Sequence, residues 1–155
     1  MTRFALRAGL VLGTLRILWM ACEHLVGIRT THLDWVEASY GLYLLAGAPL
    51  TWLAVFKVAP PSSHRLHHLF ASGLLAGALS GLIHALAFWA YTSWMHPAFL
   101  DDFIQWNVAH SSNTFEVANR AFRLPAFLDV LLGHPLLQSP VLACLLGHAL
   151  RPKLT

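Results

Sequence analysis

Five ionisable side chains lie inside stretches of sequence that are apolar enough to cross a membrane, namely Arg16, Glu23, His84, Asp129 and His134. A charged group in hydrocarbon costs roughly 2.5–3.5 kcal/mol, so such groups normally face a protein interior or a watery cavity. Histidines and desolvated carboxylates can change their charge near neutral pH, which suits a proton or ion relay. These five residues therefore form a candidate intramembrane polar site.

The same residues allow two other interpretations. His84 and His134 have similar estimated depths on different apolar stretches, so they are candidate axial ligands of a b-type haem. The second interpretation is structural, because an ion pair of Arg16 with Glu23 or Asp129 would offset much of the cost of burial and join helices without any activity. The spacing of the residues is compatible with a relay, a haem site and a structural ion pair.

Metal binding is a further hypothesis at two places. Within the membrane a site could draw on His24, Glu23, Asp129, His84 and His134, although no tight His-x-x-x-His spacing occurs there. A second cluster consists of His64, His67 and His68 at the start of the third apolar stretch. Its spacing matches one face of a helix and would allow weak binding of a divalent metal, or simply a solvated helix end.

The elements that must position these residues follow from composition. Hydrophobic residues make up 57% of the 155 residues and charged residues only 11%, whereas about a quarter of a soluble domain is charged. We therefore predict an all-α, polytopic membrane protein that forms a four-helix transmembrane bundle. The predicted spans cover residues of about 4–26, 35–56, 66–94 and 124–150. Four spans of about 20 residues leave no room for a second domain, so residues 1–155 form one transmembrane domain.

The longest connection, residues 97–123, lies between the third and fourth spans. Pro97 opens it, and apolar side chains then recur at helical spacing beside two aspartates; they are Phe99, Leu100, Phe103 and Ile104. This pattern predicts a short helix that lies in the membrane interface.

Small residues predict how the helices pack. The glycines concerned are Gly9 and Gly13 in the first span and Gly73, Gly77 and Gly81 in the third. Such faces let helix backbones approach closely inside a membrane. Arg16 follows Gly13 by three residues and His84 follows Gly81 by three. Residues three apart lie on the same face of a helix, so Arg16 and His84 share the glycine-bearing faces and should point inward. We expect the contact to form within the chain.

The distribution of basic residues predicts orientation. Six of them lie at the N-terminus, between the second and third spans and at the C-terminus, against three on the other side: Arg3, Arg7, Lys57, Arg65, Arg151 and Lys153 against Arg29, Arg120 and Arg123. The positive-inside rule then places both termini in the cytoplasm. Because these residues lie at span ends and form no basic stripe, nucleic-acid binding is not indicated.

Two stretches carry a family resemblance. The first is the glycine-rich opening from Arg7 to Gly13, and the second is Tyr91-x-x-x-Met95-His96-Pro97-x-Phe99-Leu100-Asp101-Asp102-Phe103. The chain resembles the bacterial membrane proteins catalogued as domain of unknown function 4199. The resemblance implies a small polytopic protein of the bacterial inner membrane, and it supplies no activity and no functional residues. The chain departs from that family in its many histidines and tryptophans and in lacking a lysine-rich cytoplasmic loop.

Three functional hypotheses follow. The first is a non-enzymatic accessory or scaffold subunit in the lipid bilayer. Its small-residue faces and its outer loop, residues 97–123, would engage partner subunits of a larger membrane complex. The second is a small transporter or proton-coupled protein that uses Arg16, Glu23, His84 and Asp129. The third is a b-type haem electron-transfer protein. No phosphate-binding loop, nucleophile elbow or paired-cysteine motif is present, so the sequence indicates no catalytic residues.

Overall fold

The chain folds into helices joined by short turns. The computed structural model describes residues 2–58, 65–112, 114–120 and 134–150, and no strand occurs among them. The first helix, α1, spans Thr2–Leu25. After a 3₁₀ turn at Leu33–Trp35, α2 spans Val36–Leu42, a π-helical turn spans Tyr43–Gly47 and α3 spans Ala48–Val58. These last three segments form one continuous helical rod.

The described residues of the second half form one long helix and three shorter ones. Helix α4 spans Leu66–Ala90 and continues into a second π-helical turn at Tyr91–Met95. Helix α5 spans Phe99–His110, α6 covers residues 115–120, and α7 spans His134–Ala149. The short helix predicted after Pro97 is therefore present as α5, while its place at a membrane interface stays a prediction.

Three stretches are long and apolar enough to cross a membrane: Arg3–Leu25, Leu33–Lys57 and Leu66–Met95. They lie close to the predicted spans at 4–26, 35–56 and 66–94. In the region predicted as a fourth span, residues 124–133 lie outside the described residues, and α7 has 16 residues. At about 1.5 Å per residue it measures about 24 Å, short of the roughly 30 Å of a bilayer core. The count of four spans therefore stays a prediction.

Helix α4 lies between α1 and α7 and packs along both, and α3 contacts α1 and α7 from the other side. Glycines allow these close contacts. A Cβ atom on Gly9 would lie 2.8 Å from Leu79 Cβ, and one on Gly73 would lie 2.6 Å from the backbone Cα of Pro140. Gly77 and Gly81 are also buried. The backbones of α1 and α7 thus approach the same helix within a distance that no larger residue would permit.

Two apolar clusters lie at opposite ends of the bundle. The larger cluster is built by α1, α3, α4 and α7 around Phe4, Leu12, Trp52, Phe56 and Leu69. The smaller cluster contains Met20, Phe88, Tyr91 and Phe99, and it brings α5 against the end of α4. Arg16 lies between Leu12 and Met20 on α1 and so at the level between the two clusters, whereas Glu23 lies beyond Met20, beside the smaller cluster.

Candidate functional site

Glu23 is the centre of the polar site. Its side chain is buried, and Oε1 accepts hydrogen bonds from Ser39 Oγ at 2.6 Å and from Trp19 Nε1 at 3.0 Å. Oε2 forms an ion pair with Arg29 Nε at 2.6 Å. Two neutral donors and one cation together satisfy the carboxylate, because hydrogen bonds to a charged acceptor are the strong ones. The arrangement gives each oxygen of the buried Glu23 carboxylate a partner.

The turn after α1 brings Arg29 to Glu23. Gly27 has a φ of 84°, Ile28 N donates to Glu23 O at 2.8 Å, and Gly27 N donates to His24 O at 3.1 Å. These bonds form the Schellman ending of a helix, which needs a left-handed residue that glycine adopts without strain. The chain therefore reverses immediately after the helix and returns Arg29 to the carboxylate.

Aromatic rings cover the other side of the Arg29 guanidinium. Its Cζ lies 5.1 Å from the ring centroid of Phe99, 5.6 Å from that of Tyr91 and 6.0 Å from that of Phe88. Cations are attracted to ring faces at these distances. Helix α5, through Phe99, thus closes the end of the site. The positive-inside argument places Arg29 only on the side opposite the termini; the signal that could have placed it at Glu23 was Gly27, the glycine that follows the apolar run.

Arg16 has a different environment from the one predicted. Its side chain is buried, its Nε donates to the Tyr43 hydroxyl at 3.0 Å, and its Cζ lies 5.2 Å from the Tyr43 ring centroid. The predicted pair of Arg16 with Glu23 is wrong, because Glu23 pairs with Arg29. Asp129, the alternative partner, lies outside the described residues. Within the described part of the chain no carboxylate pairs with Arg16.

A π-helical turn positions Tyr43 and joins α7 to the site. Ala48 N bonds to Tyr43 O, one residue beyond the α-helical partner, and Pro49 has no N–H to offer. The Leu44 carbonyl therefore has no backbone donor, and Gln138 Nε2 of α7 donates to it at 2.9 Å. Such π-turns often occur at functional sites. A residue pattern read at 3.6 residues per turn does not anticipate this change of helical phase.

His84 faces the same region from α4. Its Nδ1 is buried and has no hydrogen-bond partner among the described residues. Beside it lies a cavity of about 30 Å³, lined by Arg16, Trp19, Met20, Glu23, Arg29, Tyr40, Tyr43 and His84. A volume of this size holds about two water molecules. The structure therefore brings together Arg16, Glu23 and His84 of the predicted site and adds Arg29 and Tyr43.

A second group of titratable side chains lies under α5. The Tyr91 hydroxyl lies 3.1 Å from His24 Nδ1 and 3.4 Å from His96 Nδ1, and His96 Nε2 lies 3.6 Å from Asp102 Oδ2. The hydroxyl hydrogen can be donated to only one ring, so at least one of the two Nδ1 atoms carries a hydrogen. His24 thus contacts Tyr91 and His96, which the proposal of a metal site with Glu23 and Asp129 did not anticipate.

Comparisons with known proteins were made for the whole chain. No protein-family model, curated protein or solved structure matches it. The resemblance to domain of unknown function 4199 therefore stays a prediction, and the site is interpreted from its own geometry.

The surroundings of His84 give no support to the haem hypothesis. Pockets for cofactor-sized ligands measure roughly 300–1,000 Å³, whereas the cavity beside His84 has about 30 Å³. Helix α7 begins at His134, but the side chain of His134 lies outside the described residues. The side chains that the structure describes around His84 leave no space for a macrocycle.

Metal binding finds no geometric support in the described ranges. No group of three or more His, Cys, Asp or Glu side chains there is arranged to hold a metal ion. The rings of His67 and His68 lie 4.2 Å apart at the start of α4, while His64 lies outside the described residues. Among the described residues, the histidine cluster therefore consists of the contact between His67 and His68.

An apolar cavity of about 320 Å³ separates α1 from α2 beside the polar site. Its lining consists of Trp19, Cys22, Glu23, Val26, Ile28, Trp35, Ala38, Ser39 and Leu42. Trp19 and Glu23 line this cavity and the polar one. The Trp19 and Glu23 side chains therefore form the wall between a polar interior and an apolar space.

Proposed function

We propose that the chain is a multi-pass protein of the bacterial inner membrane that couples proton movement to the transport of a small solute through the polar site. Membrane residence is supported by three long apolar helices in which fewer than half of the residues are buried. Leucines such as Leu45, Leu82 and Leu86 are exposed, and soluble monomers rarely expose large contiguous apolar surfaces. The excess of basic residues at the proposed inner ends supports cytoplasmic termini.

The observation that carries the proposal is the incomplete pairing of buried polar groups around one cavity. Glu23 and Arg29 satisfy each other, yet Arg16 has no carboxylate partner and His84 Nδ1 has no partner at all among the described residues. A purely structural ion pair is often no more stabilising than apolar packing of the same volume. Uncompensated polar groups that face a cavity are therefore better explained by a bound solute or a transferred proton.

Two groups are suited to carry a proton. His84 has a buried ring nitrogen beside the cavity without a hydrogen-bond partner among the described residues, and such a nitrogen can accept or donate a proton. Glu23 is the second, because a proton on its carboxylate would release Arg29 from the ion pair. Release of Arg29 would loosen its contacts with Phe99 and Tyr91 and so couple protonation of the site to the position of α5. This is a transport mechanism of the kind that intramembrane charges typically serve.

The accessory-subunit hypothesis is the second candidate and has lost one of its supports. It relied on small-residue faces that could engage a partner. Gly9, Gly13, Gly73 and Gly147 all pack against other helices of the same chain. The outer loop remains the surface by which a partner would be bound, and stable co-purification of another membrane protein is the result expected from this hypothesis.

Proton flux in reconstituted vesicles tests the proposal. The full chain is inserted into liposomes that contain a pH-sensitive dye, and a potassium gradient with an ionophore sets the membrane potential. We expect dye-reported proton flux above that of empty liposomes, and we expect Glu23→Gln, compared at equal amounts of folded protein, to reduce it at least about tenfold, as for loss of an essential proton carrier. Glu37→Gln, which changes an exposed glutamate, is the matched control. Equal flux in Glu23→Gln and wild type would contradict the role assigned to the site.

A further inference from the structure

Among the described residues, the charges around the 30 Å³ cavity do not balance. Its described lining contains two arginines, Arg16 and Arg29, and one carboxylate, Glu23, which the ion pair with Arg29 already occupies. An unpaired buried charge is expensive, because removal from water costs several kcal/mol that only an opposite charge or hydrogen bonds return. The Tyr43 ring and hydroxyl stabilise the Arg16 guanidinium and so offset part of this cost, but they carry no negative charge. The cavity therefore favours an anion.

The cavity also offers hydrogen-bond donors. Arg16 uses its Nε for Tyr43, and its two terminal amino groups have no other partner among the residues that the structure describes. His84 Nδ1 is the only buried side-chain polar atom in that part of the chain without a hydrogen bond, and it donates when it carries a hydrogen. Guanidinium and imidazole N–H groups are strong donors to anions. Both groups line one cavity from different helices, α1 and α4.

The volume limits the size of the ligand. About 30 Å³ is room for about two water molecules, so an anion of one to three non-hydrogen atoms fits. A phosphate group or a longer carboxylic acid does not. While His84 is neutral, one unbalanced positive charge matches one negative charge, so the site favours a monovalent anion. Halide ions meet both requirements.

From this match of charge, donors and volume, we propose that Arg16 and His84 bind a small monovalent anion, of which chloride is the simplest, in the cavity between α1 and α4. The inference rests on the proposed function and deepens it by naming the class of solute. It also supplies the coupling, since an anion beside His84 and a proton on His84 attract each other. Anion binding should therefore strengthen as the pH falls.

The coupling also depends on the other charged and titratable groups that face His84. Those that line the cavity are Arg16 and Glu23 of α1, Arg29 of the following turn, and Tyr40 and Tyr43 of the helical rod. No described side chain of α7 lines it. Glu23 is held by Arg29 and by the donors Trp19 and Ser39, so His84 is the group whose protonation the anion would favour.

Thermal unfolding of the full chain in detergent tests anion binding without any need for transport. Chloride and gluconate are compared at equal ionic strength and pH; gluconate is too large for the cavity. We expect chloride alone to raise the unfolding temperature and the increase to saturate, as ligand linkage requires. Arg16→Gln should weaken the apparent chloride affinity at least about tenfold, while Arg7→Gln, at an exposed site of the same helix, should leave it unchanged.

A second variant keeps the test decisive if Arg16→Gln does not fold. His84→Gln retains an N–H donor but cannot take up a proton, so chloride binding should persist and lose its dependence on pH, whereas His67→Gln at the exposed start of α4 should keep it. Equal stabilisation by chloride and gluconate would overturn the proposal, as would a wild-type pH profile in His84→Gln.

The two proposals can fail separately. Saturable chloride binding in a protein that conducts no protons would support the anion site and contradict the transport function. Proton flux that is the same in chloride and in gluconate, with no specific stabilisation by chloride, would support a proton pathway and contradict the anion site.

Discussion

Arg29 and Glu23 lie at the same end of α1, and the chain between them reverses direction so that Arg29 Nε reaches Glu23 Oε2 at 2.6 Å. The pair is local in sequence, yet it closes a site built from three helical segments. Glu23 also accepts from Ser39 at the start of the helical rod, and Arg29 lies against Phe99 of α5. One ion pair therefore links α1, α2 and α5.

Loss of the Glu23 charge should strongly destabilise the protein. Glu23→Gln leaves the buried Arg29 without an anion, and breaking a buried pair in this way costs about 3–5 kcal/mol. The double variant Glu23→Gln with Arg29→Met should recover part of that loss, because no unpaired charge remains. Chemical unfolding in detergent measures both. A double variant as unstable as the sum of the single ones would show that the two residues are not coupled.

Substitution of Gly27 should weaken the same pair through the backbone. Gly27→Ala places a Cβ on a residue with a φ of 84° and only 2.8 Å from Thr31 Oγ1; the left-handed conformation costs about 1–2 kcal/mol for other residues. Gly41→Ala is the matched control, since a Cβ there meets nothing within 4 Å and a helical alanine is favourable. Unfolding temperatures should fall for the first variant and stay level or rise for the second.

Gly73→Ala should disturb the contact between α4 and α7. The added Cβ would lie 2.6 Å from Pro140 Cα and 2.8 Å from Ser139 O, both of them backbone atoms that cannot rotate away. Overpacking of this kind costs about 1–3 kcal/mol. The measurement is again the unfolding temperature, with Gly41→Ala as the reference. An unchanged temperature would mean that α7 shifts freely along α4.

Gln138 should contribute through a single hydrogen bond to the π-helical turn. Gln138→Leu leaves the Leu44 carbonyl without its donor, and an unsatisfied buried acceptor costs about 1–3 kcal/mol. Gln105→Leu changes an exposed glutamine on α5 and should have little effect. Hydrogen exchange of the amides in residues 44–50 offers a second measurement, in which only Gln138→Leu should speed exchange.

Removal of the Tyr91 hydroxyl should uncouple two histidines. Tyr91→Phe deletes the group that contacts both His24 Nδ1 and His96 Nδ1, with an expected cost of about 1–3 kcal/mol. In a His24→Phe background the same substitution should cost less, because part of its interaction is already gone. Equal costs in the two backgrounds would indicate that the His24 contact contributes nothing to stability.

The sequence predicted the helices better than it predicted their partners. Composition and hydropathy predicted an all-helical chain with four apolar spans; the described residues are helical and contain three long apolar helices, and helical spacing located α5 close to Phe99. Inward-facing polar residues could be expected because lipid penalises charge. Arg16 and Glu23 are indeed buried. These features depend on the local spacing of residue types and on the free energy of transferring each side chain from water to lipid, and both follow from a single sequence.

The pairing of the polar residues depends on features that are not periodic. Arg29 reaches Glu23 only because Gly27 reverses the chain, and Tyr43 reaches Arg16 from a helical turn that departs from 3.6 residues per turn. His24, Tyr91 and His96 meet because α5 folds back on α4. Each of these contacts joins segments whose relative placement is set by a glycine turn or a π-turn, so spacing along the chain did not reveal them.

The glycine contacts of α4 have a consequence for motion. Backbones in contact along α1, α4 and α7 cannot slide past one another without steric clashes, so these three helices should move as a rigid body. The rod of α2 and α3 meets α1 at the level of the site through side chains such as Ser39 and Tyr43, with a cavity of about 320 Å³ beside it. A conformational cycle that opens the site to one side of the membrane should therefore proceed by tilting of this rod, with its π-turn as the hinge.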